Sequence, residues 1–212
     1  LELDIFDFPD EKITEWIAGR ICDENFSAKL QDKSIMDIIK LRQENNNDND
    51  RLKIEYKVLK YAYNSIKNTG FNFSGNLHEL IKAYDNEYYW IDTYYRKFYY
   101  YYDKLVEKSE KYEKLAKIIE LKYTDDFLNP LNIKFNELLD YNNLSEEIKL
   151  QKNFYKNYVE TNKNRIVVII SDAFRYECAK ELNNKLKALA SKSEISYMQG
   201  LVPSYTKLGM AS

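Results

Sequence analysis

The sequence brings an apolar run, IVVII at residues 166–170, directly up to Ser171 and Asp172. A short β-branched run of this kind reads as a strand buried on both faces of a mainly parallel sheet. Ala179, Leu182, Leu186 and Leu189 then recur at helical spacing, so the unit is strand, turn, helix. In such sheets ligands bind beyond the carboxyl ends of the strands, which is where the Asp172 carboxylate stands. Desolvating it is costly unless a cation or hydrogen-bond donors lie beside it. Two readings stay open from the residues alone: Asp172 holds a cation, or it caps a helix starting at Ala173, worth about 1 kcal/mol.

Thr206 is the second candidate. It follows Pro203, Ser204 and Tyr205 and is expected to open a helix, which would set its hydroxyl among amide donors suited to a phosphoryl oxygen. Such a hydroxyl becomes a nucleophile when a metal lowers its pKa, whereas Ser204 or Thr206 as a plain N-cap needs no ligand. Other chemistries are excluded. Phe174 stands where a D-x-D phosphatase places its second aspartate, and no glycine-rich dinucleotide turn or phosphate loop is present. The one histidine, His78, is far in sequence from Asp172 and reads as a capping or surface residue, so these residues complete no His-rich metal site. Cys22 and Cys178 form no C-x-x-C pattern and read as reduced core thiols.

The elements that must position these residues are mainly helical, because only five Gly and three Pro punctuate 212 residues. Phe8-Pro9-Asp10 opens a helix carrying Ile13, Trp16, Ile17 and Ile21. The tract NNNDND at residues 45–50 reads as a loop, and a second helix with Ile54, Val58, Tyr61 and Ile66 closes at Asn68-Thr69-Gly70. From Leu77, the residues Ile81, Tyr84, Tyr88, Ile91, Tyr95, Phe98, Tyr102 and Leu105 keep a heptad spacing, which predicts one helix about 40 Å long. Its further rings, Tyr89, Trp90, Tyr94 and Tyr99, imply that neighbours cover more than one face. Rings interleaved with Arg96 and Lys97 fit core packing, with a stacking platform for single-stranded nucleic acid as the alternative.

Asp125 and Asp126 before Asn129-Pro130 read as a turn and helix cap, with a shorter helix over residues 131–139. Near residue 160 the pattern changes to β-branched runs, and EISYMQ at residues 194–199 is a plausible second strand. A helical region over 1–160 followed by the beginning of an α/β domain over 161–212 is the expected organisation. Net charge is −2, so the chain as a whole offers no cationic footprint for nucleic acid. No apolar run approaches the roughly 20 residues that span a bilayer, and a cytoplasmic location is expected.

The motifs VVIISDAFRYECAKEL and LVPSYTKLGMAS resemble the start of the PglZ domain, and YYWIDTYYRKFYYYYD, FLNPLN and NFYKNYVE resemble the helical region before it in type A PglZ proteins. That family belongs to the alkaline phosphatase superfamily and to BREX bacteriophage-defence systems. The resemblance implies an alkaline-phosphatase-like parallel sheet, truncated here. It also implies a zinc-dependent phosphoesterase acting on phosphodiesters, with nucleic acid (DNA) among the substrates, and other BREX components as partners. It assigns Asp172 as a metal ligand and Thr206 as nucleophile and ligand of a two-zinc site. Arg175 and Glu177 follow the motif without an assigned chemistry: each reads as a surface salt-bridge residue, with Arg175 as a phosphate anchor the alternative. The superfamily's further Asp and His ligands lie downstream of the matched motifs, so the chain is expected to be a fragment, inactive alone and binding zinc weakly. A scaffolding role within the defence complex is the competing expectation.

Overall fold

The computed structural model describes residues 7–45, 49–68, 70–140, 148–189 and 192–200. Two compact units divide the chain: Leu1–Gly75 with Ala83–Glu137, and Asn76–Lys82 with Leu138–Ser212.

The first unit is built around α3 (Asp50–Lys67), against which α1 (Asp7–Cys22), α2 (Ile35–Asn45), α5 (Tyr89–Tyr102) and α6 (Glu110–Leu121) all pack. Its core joins Ile13, Ile17 and Ile21 of α1 to Ile35, Ile38 and Ile39 of α2, with Val58, Leu59, Phe98 and Leu115 among them. A small antiparallel hairpin, β1 (Lys29–Leu30) and β2 (Lys33–Ser34), leads into α2. Its two-residue turn places both Gln31 and Asp32 at positive φ, 49° and 61°, as the twist of such a turn requires. Ser34 then caps α2: its hydroxyl accepts from the Asp37 amide at 3.2 Å and donates to the Asp37 carboxylate at 2.6 Å. Asn49 caps α3 by accepting from the Leu52 amide at 3.2 Å.

Buried charge in this core is paired. Arg42, 1% exposed, donates from both Nε (2.8 Å) and Nη2 to the Asp10 carboxylate, which also accepts from the Tyr56 hydroxyl. Three elements distant in sequence are thereby fixed to one another, since removing one partner would strand a buried charge. A second, aromatic cluster forms around Ile91, Tyr123 and Phe127 with Phe71 and Phe73. Asp92 is buried beside it and accepts from the hydroxyls of Tyr84 and Tyr123, the latter at 2.6 Å.

Several expectations are corrected. The single long helix from Leu77 to Leu105 is instead α4 (Leu77–Ala83), a π-helical turn at Tyr84–Tyr88 and α5, which ends at Tyr102 and leaves Leu105 outside. A π turn inserts a residue into the helical repeat and so shifts the strict heptad seam. Asp125 and Asp126 do not end a helix either: they lie in a π-helical turn, Lys122–Leu128, that runs into α7 (Asn129–Leu138). Pro130 has no amide to donate backwards, so a widened turn just before it relieves the helical ladder without breaking the chain's course. Cys22 and Cys178 are free thiols, as expected, but both are part-exposed, Cys22 packing against the margin of the first unit's core. Burial still pushes the Cys22 thiol pKa up.

The second unit contains a 3-10 turn at Gln151–Asn153, a π-helical segment at Tyr155–Glu160 and α8 (Tyr176–Ala188). Among the described residues its only strand-like pairing is a single parallel bridge, Leu150 to Gln199, closed by the Gln151 and Gln199 amides at 2.9 and 2.8 Å. The second strand expected over 194–199 is therefore reduced to that bridge. The parallel sheet expected to begin at residues 166–170 is likewise not formed: those residues belong to no strand, and Ile169 is 86% exposed. A central parallel strand needs neighbours at both edges and layers on both faces, and the described residues supply none of these.

Candidate functional site

Residues 166–170 reach Ser171 and Asp172 in backbone that belongs to no helix or strand. The chain then turns sharply at Asp172 and Ala173, and Ala173 takes φ 54°, a left-handed conformation that costs a residue with a Cβ about 1–2 kcal/mol. The Asp172 carboxylate accepts from the Ala173 amide at 2.9 Å, so the side chain closes its own turn. Helix α8 begins three residues later than read from the sequence, at Tyr176, with Arg175 as the N-cap residue in extended conformation. Asp172 is therefore not the cap of that helix. It stands exposed at the apex of the turn before it.

Arg175 and Glu177 form the better-built pair. Glu177 is 1% exposed in the first turn of α8, where the helix dipole favours a carboxylate, and Arg175 Nε lies 3.7 Å from its Oε1. The Cys178 thiol is 3.8 Å from the same oxygen. Arg175, the expected phosphate anchor, is thus held against its own helix by Glu177, with about half of its side chain in solvent. The salt-bridge reading of Arg175 and Glu177 is met, except that Glu177 is buried and not a surface residue. Further along α8, buried Asn183 accepts from the Ser193 hydroxyl at 2.7 Å.

Thr206, with Ser204, lies outside the described residues, so its distance to Asp172 is not part of the geometry above. No three His, Cys, Asp or Glu side chains converge among the described residues. Those residues alone do not fit a zinc site.

Concave space among the described residues is found in the first unit. A cavity of about 260 Å³ is bordered by Arg51, Glu55, Lys111 and Tyr112. Its charges satisfy one another: Glu55 accepts from Tyr112 at 2.6 Å and from Arg51 at 2.9 Å, and lies 3.9 Å from Lys111, which donates to Thr14 at 2.8 Å. Desolvation lowers the Lys111 pKa, and Glu55 opposes that shift.

Comparison with known proteins supplies the class first: residues 151–212 match the family described as the BREX system PglZ alkaline phosphatase-like domain. The particular relatives are two. The chain is 41% identical over 144 residues to the alkaline phosphatase-like protein PglZ of Bacillus cereus (strain H3081.97), an alignment covering 63% of this chain and 16% of that protein. It is 35% identical over 143 residues to the alkaline phosphatase-like protein BrxZ of Escherichia coli O9:H4 (strain HS), covering 62% and 16% respectively. No solved structure matches. The resemblance drawn from the motifs therefore holds, and residues 151–212 match the PglZ family. The chain spans about 16% of the length of the curated relatives it matches. Among the described residues no helix is long and apolar enough to cross a membrane.

Proposed function

We propose that this chain carries the opening of the catalytic domain of a metal-dependent phosphoric ester hydrolase that works with other BREX components. The observation that carries the reading is the match of residues 151–212 to an alkaline phosphatase-like family, over the segment that holds both SDAFRYE and PSYTKLGMA. In this reading the catalytic part begins near residue 160, Asp172 is one ligand of a zinc pair, and Thr206 is the nucleophile. The sharp turn supports the role of Asp172, since it presents the carboxylate to solvent at the end of the apolar run. Zinc, when bound, would supply Lewis-acid stabilisation of the phosphoryl oxygens. Glu177 positions Arg175, which would meet a phosphate oxygen from the N-cap of α8. Phosphodiesters, DNA included, are the proposed substrate class.

The test is hydrolysis of bis(p-nitrophenyl) phosphate by the full-length parent with and without zinc, comparing wild type with Asp172→Ala and Thr206→Ala. Both substitutions are expected to lower turnover by at least about a thousandfold while the protein stays folded. Turnover by either variant at the wild-type rate, or none by a zinc-loaded parent, would sink the catalytic assignment. A second reading, an assembly scaffold, is favoured by one observation: the first unit has its own closed core and holds neither proposed catalytic residue.

A further inference from the structure

We propose that Tyr100, near the end of α5, is a modification site: an exposed phenol made nucleophilic by Lys104, able to take an acyl group from a small activated donor. Lys104 Nζ donates to the Tyr100 hydroxyl oxygen at 2.7 Å and lies 4.2 Å from the centre of the same ring. The Lys104 amide bonds to the Tyr101 carbonyl at 3.0 Å, which fixes the root of the lysine one turn beyond the phenol. The Tyr100 ring meets that of Tyr101 edge-on, 4.9 Å between centres, and Lys57 Nζ of α3 sits 4.9 Å from the centre of the Tyr101 ring. Tyr100 itself is 53% exposed and open to a reagent.

The neighbouring Tyr99 has a bond of the opposite polarity. Its hydroxyl donates to Glu120 at 2.8 Å, so the proton is held between two oxygens, and burial, then that bond, pushes its pKa up. At Tyr100 the oxygen accepts from an ammonium group, so its own proton is free to leave and the phenolate left behind is stabilised. The Lys104 bond and charge lower the Tyr100 pKa, Lys57 adding to them and burial opposing. Among the other charges on α5 and just beyond it, Arg96 and Lys97 stand one turn before Tyr100, and Asp103 one turn after it is bound to Lys108 at 3.2 Å. The partial negative charge at the end of α5 works against the phenolate, but by less than a direct charge-assisted hydrogen bond favours it.

The chemistry is acyl transfer. The phenolate oxygen attacks the carbonyl carbon of the donor, an O–C bond forms, the bond to the leaving group breaks, and that group departs with the proton the phenol has given up. Exposure alone does not make such a site. Tyr155 is 65% exposed, yet no lysine bonds to its hydroxyl among the described residues, which makes it the internal reference. Tyr100 belongs to the first unit and shares no residue with the hydrolase reading, so neither depends on the other.

The experiment treats the folded 212-residue chain with N-acetylimidazole and locates acetyl-tyrosine by peptide mass spectrometry, its removal by hydroxylamine distinguishing it from acetyl-lysine. At about pH 7.5, well below the ordinary phenol pKa of about 10, Tyr100 is expected to react at least about threefold faster than Tyr155. A tenfold gain in phenolate loses about a factor of three to its lower basicity, on the Brønsted coefficient of about 0.4–0.5 known for thiolates. Lys104→Gln should slow Tyr100 to the Tyr155 rate and leave Tyr155 unchanged, whereas Lys104→Arg should keep most of the gain. Between about pH 7 and 9.5 the Tyr100 rate should begin to level off at lower pH than that of Tyr155, and Lys104→Gln should remove the difference. Circular dichroism of each variant separates a change in reactivity from a change in fold. Equal rates at Tyr100 and Tyr155, or a Tyr100 rate indifferent to Lys104→Gln, would overturn the assignment. A Lys104→Arg variant as slow as Lys104→Gln would overturn the role given to the charged donor.

Discussion

Two sets of β-branched residues meet opposite fates in this chain. In the first unit Ile35, Ile38 and Ile39 of α2 are all at 0% exposure, whereas in the second Val167, Ile169 and Ile170 are 77%, 86% and 77% exposed. The difference lies in what each element asks of its surroundings. A helix satisfies its backbone internally and needs cover on one face, which α3 provides within a few tens of residues. An extended run leaves its amide and carbonyl groups open at both edges and its side chains open on both faces. Apolar content is thus equally strong in both places, but only the helical segment finds its complement among the described residues.

The sharpest way to break that contrast is to truncate one side chain in each unit. Phe98 is fully buried against the α3 core, so Phe98→Ala should cost about 3–5 kcal/mol in urea unfolding. Ile169→Ala should change stability by no more than about 0.5 kcal/mol, because the side chain has little cover to lose. Hydrogen exchange gives the backbone counterpart: amides of α3 should exchange only through cooperative opening of the first unit, and those of 166–170 at nearly unprotected rates. Protection of the 166–170 amides, or a cost above about 1 kcal/mol for Ile169→Ala, would show the run to be packed after all.

The same contrast explains what the sequence revealed. The isoleucine spacing of α1 and the apolar side of α3 were legible because a helical stripe is written in neighbouring residues. The caps at Ser34 and Asn49 were equally local in origin, although they were not singled out beforehand. Other features were hidden because they depend on distant partners. Nothing in the spacing of Asp10, Arg42 and Tyr56 announces that they meet, and the π-helical turn at Tyr84–Tyr88 is a widening of a pattern that looked regular. At the candidate site the turn itself was visible in the abrupt end of the apolar run, but its left-handed residue and the burial of Glu177 were not. The expected sheet required strands that lie far apart in a chain, and no periodicity within residues 166–170 could supply them.

Tyrosines carry the comparison into pH dependence, with an intermediate effect. In the first unit burial, then the bond to Asp10, raises the Tyr56 pKa, and burial, then the Glu55 charge, raises that of Tyr112. In the second unit the hydrogen bond from Lys149, at 3.0 Å, lowers the pKa of part-exposed Tyr158. A raised folded-state pKa means that the unfolded chain releases its proton first, at about pH 10. Stability is therefore complete below that pH and falls as pH rises above it, by up to about 1.4 kcal/mol per pH unit for each such tyrosine. Tyr158 has the opposite sign. Urea midpoints of the first unit measured from about pH 9 to pH 11 should fall steeply. Tyr112→Phe, less stable at neutral pH because Glu55 loses a donor, should show a shallower fall. A slope unchanged by that substitution would mean that the phenol is not shielded as its burial indicates.

The smallest effect tests the turn that presents Asp172. Glycine adopts a positive φ without the steric conflict that Ala173 meets, so Ala173→Gly should relieve strain at that one residue. The unfolded chain gains freedom from the same change and offsets part of the benefit. The net expectation is a stabilisation of up to about 1 kcal/mol, confined to the second unit and read as slower exchange of the α8 amides. The amides of α3 should be unaffected. Faster exchange in α8 would mean that the Cβ of Ala173 makes contacts worth more than the strain it imposes. No change would mean that the turn opens independently of the helix, so that Asp172 is presented by a segment uncoupled from α8. Slower exchange alone fits a turn whose strained geometry is maintained by the helix that follows it, as a carboxylate held in a fixed place requires.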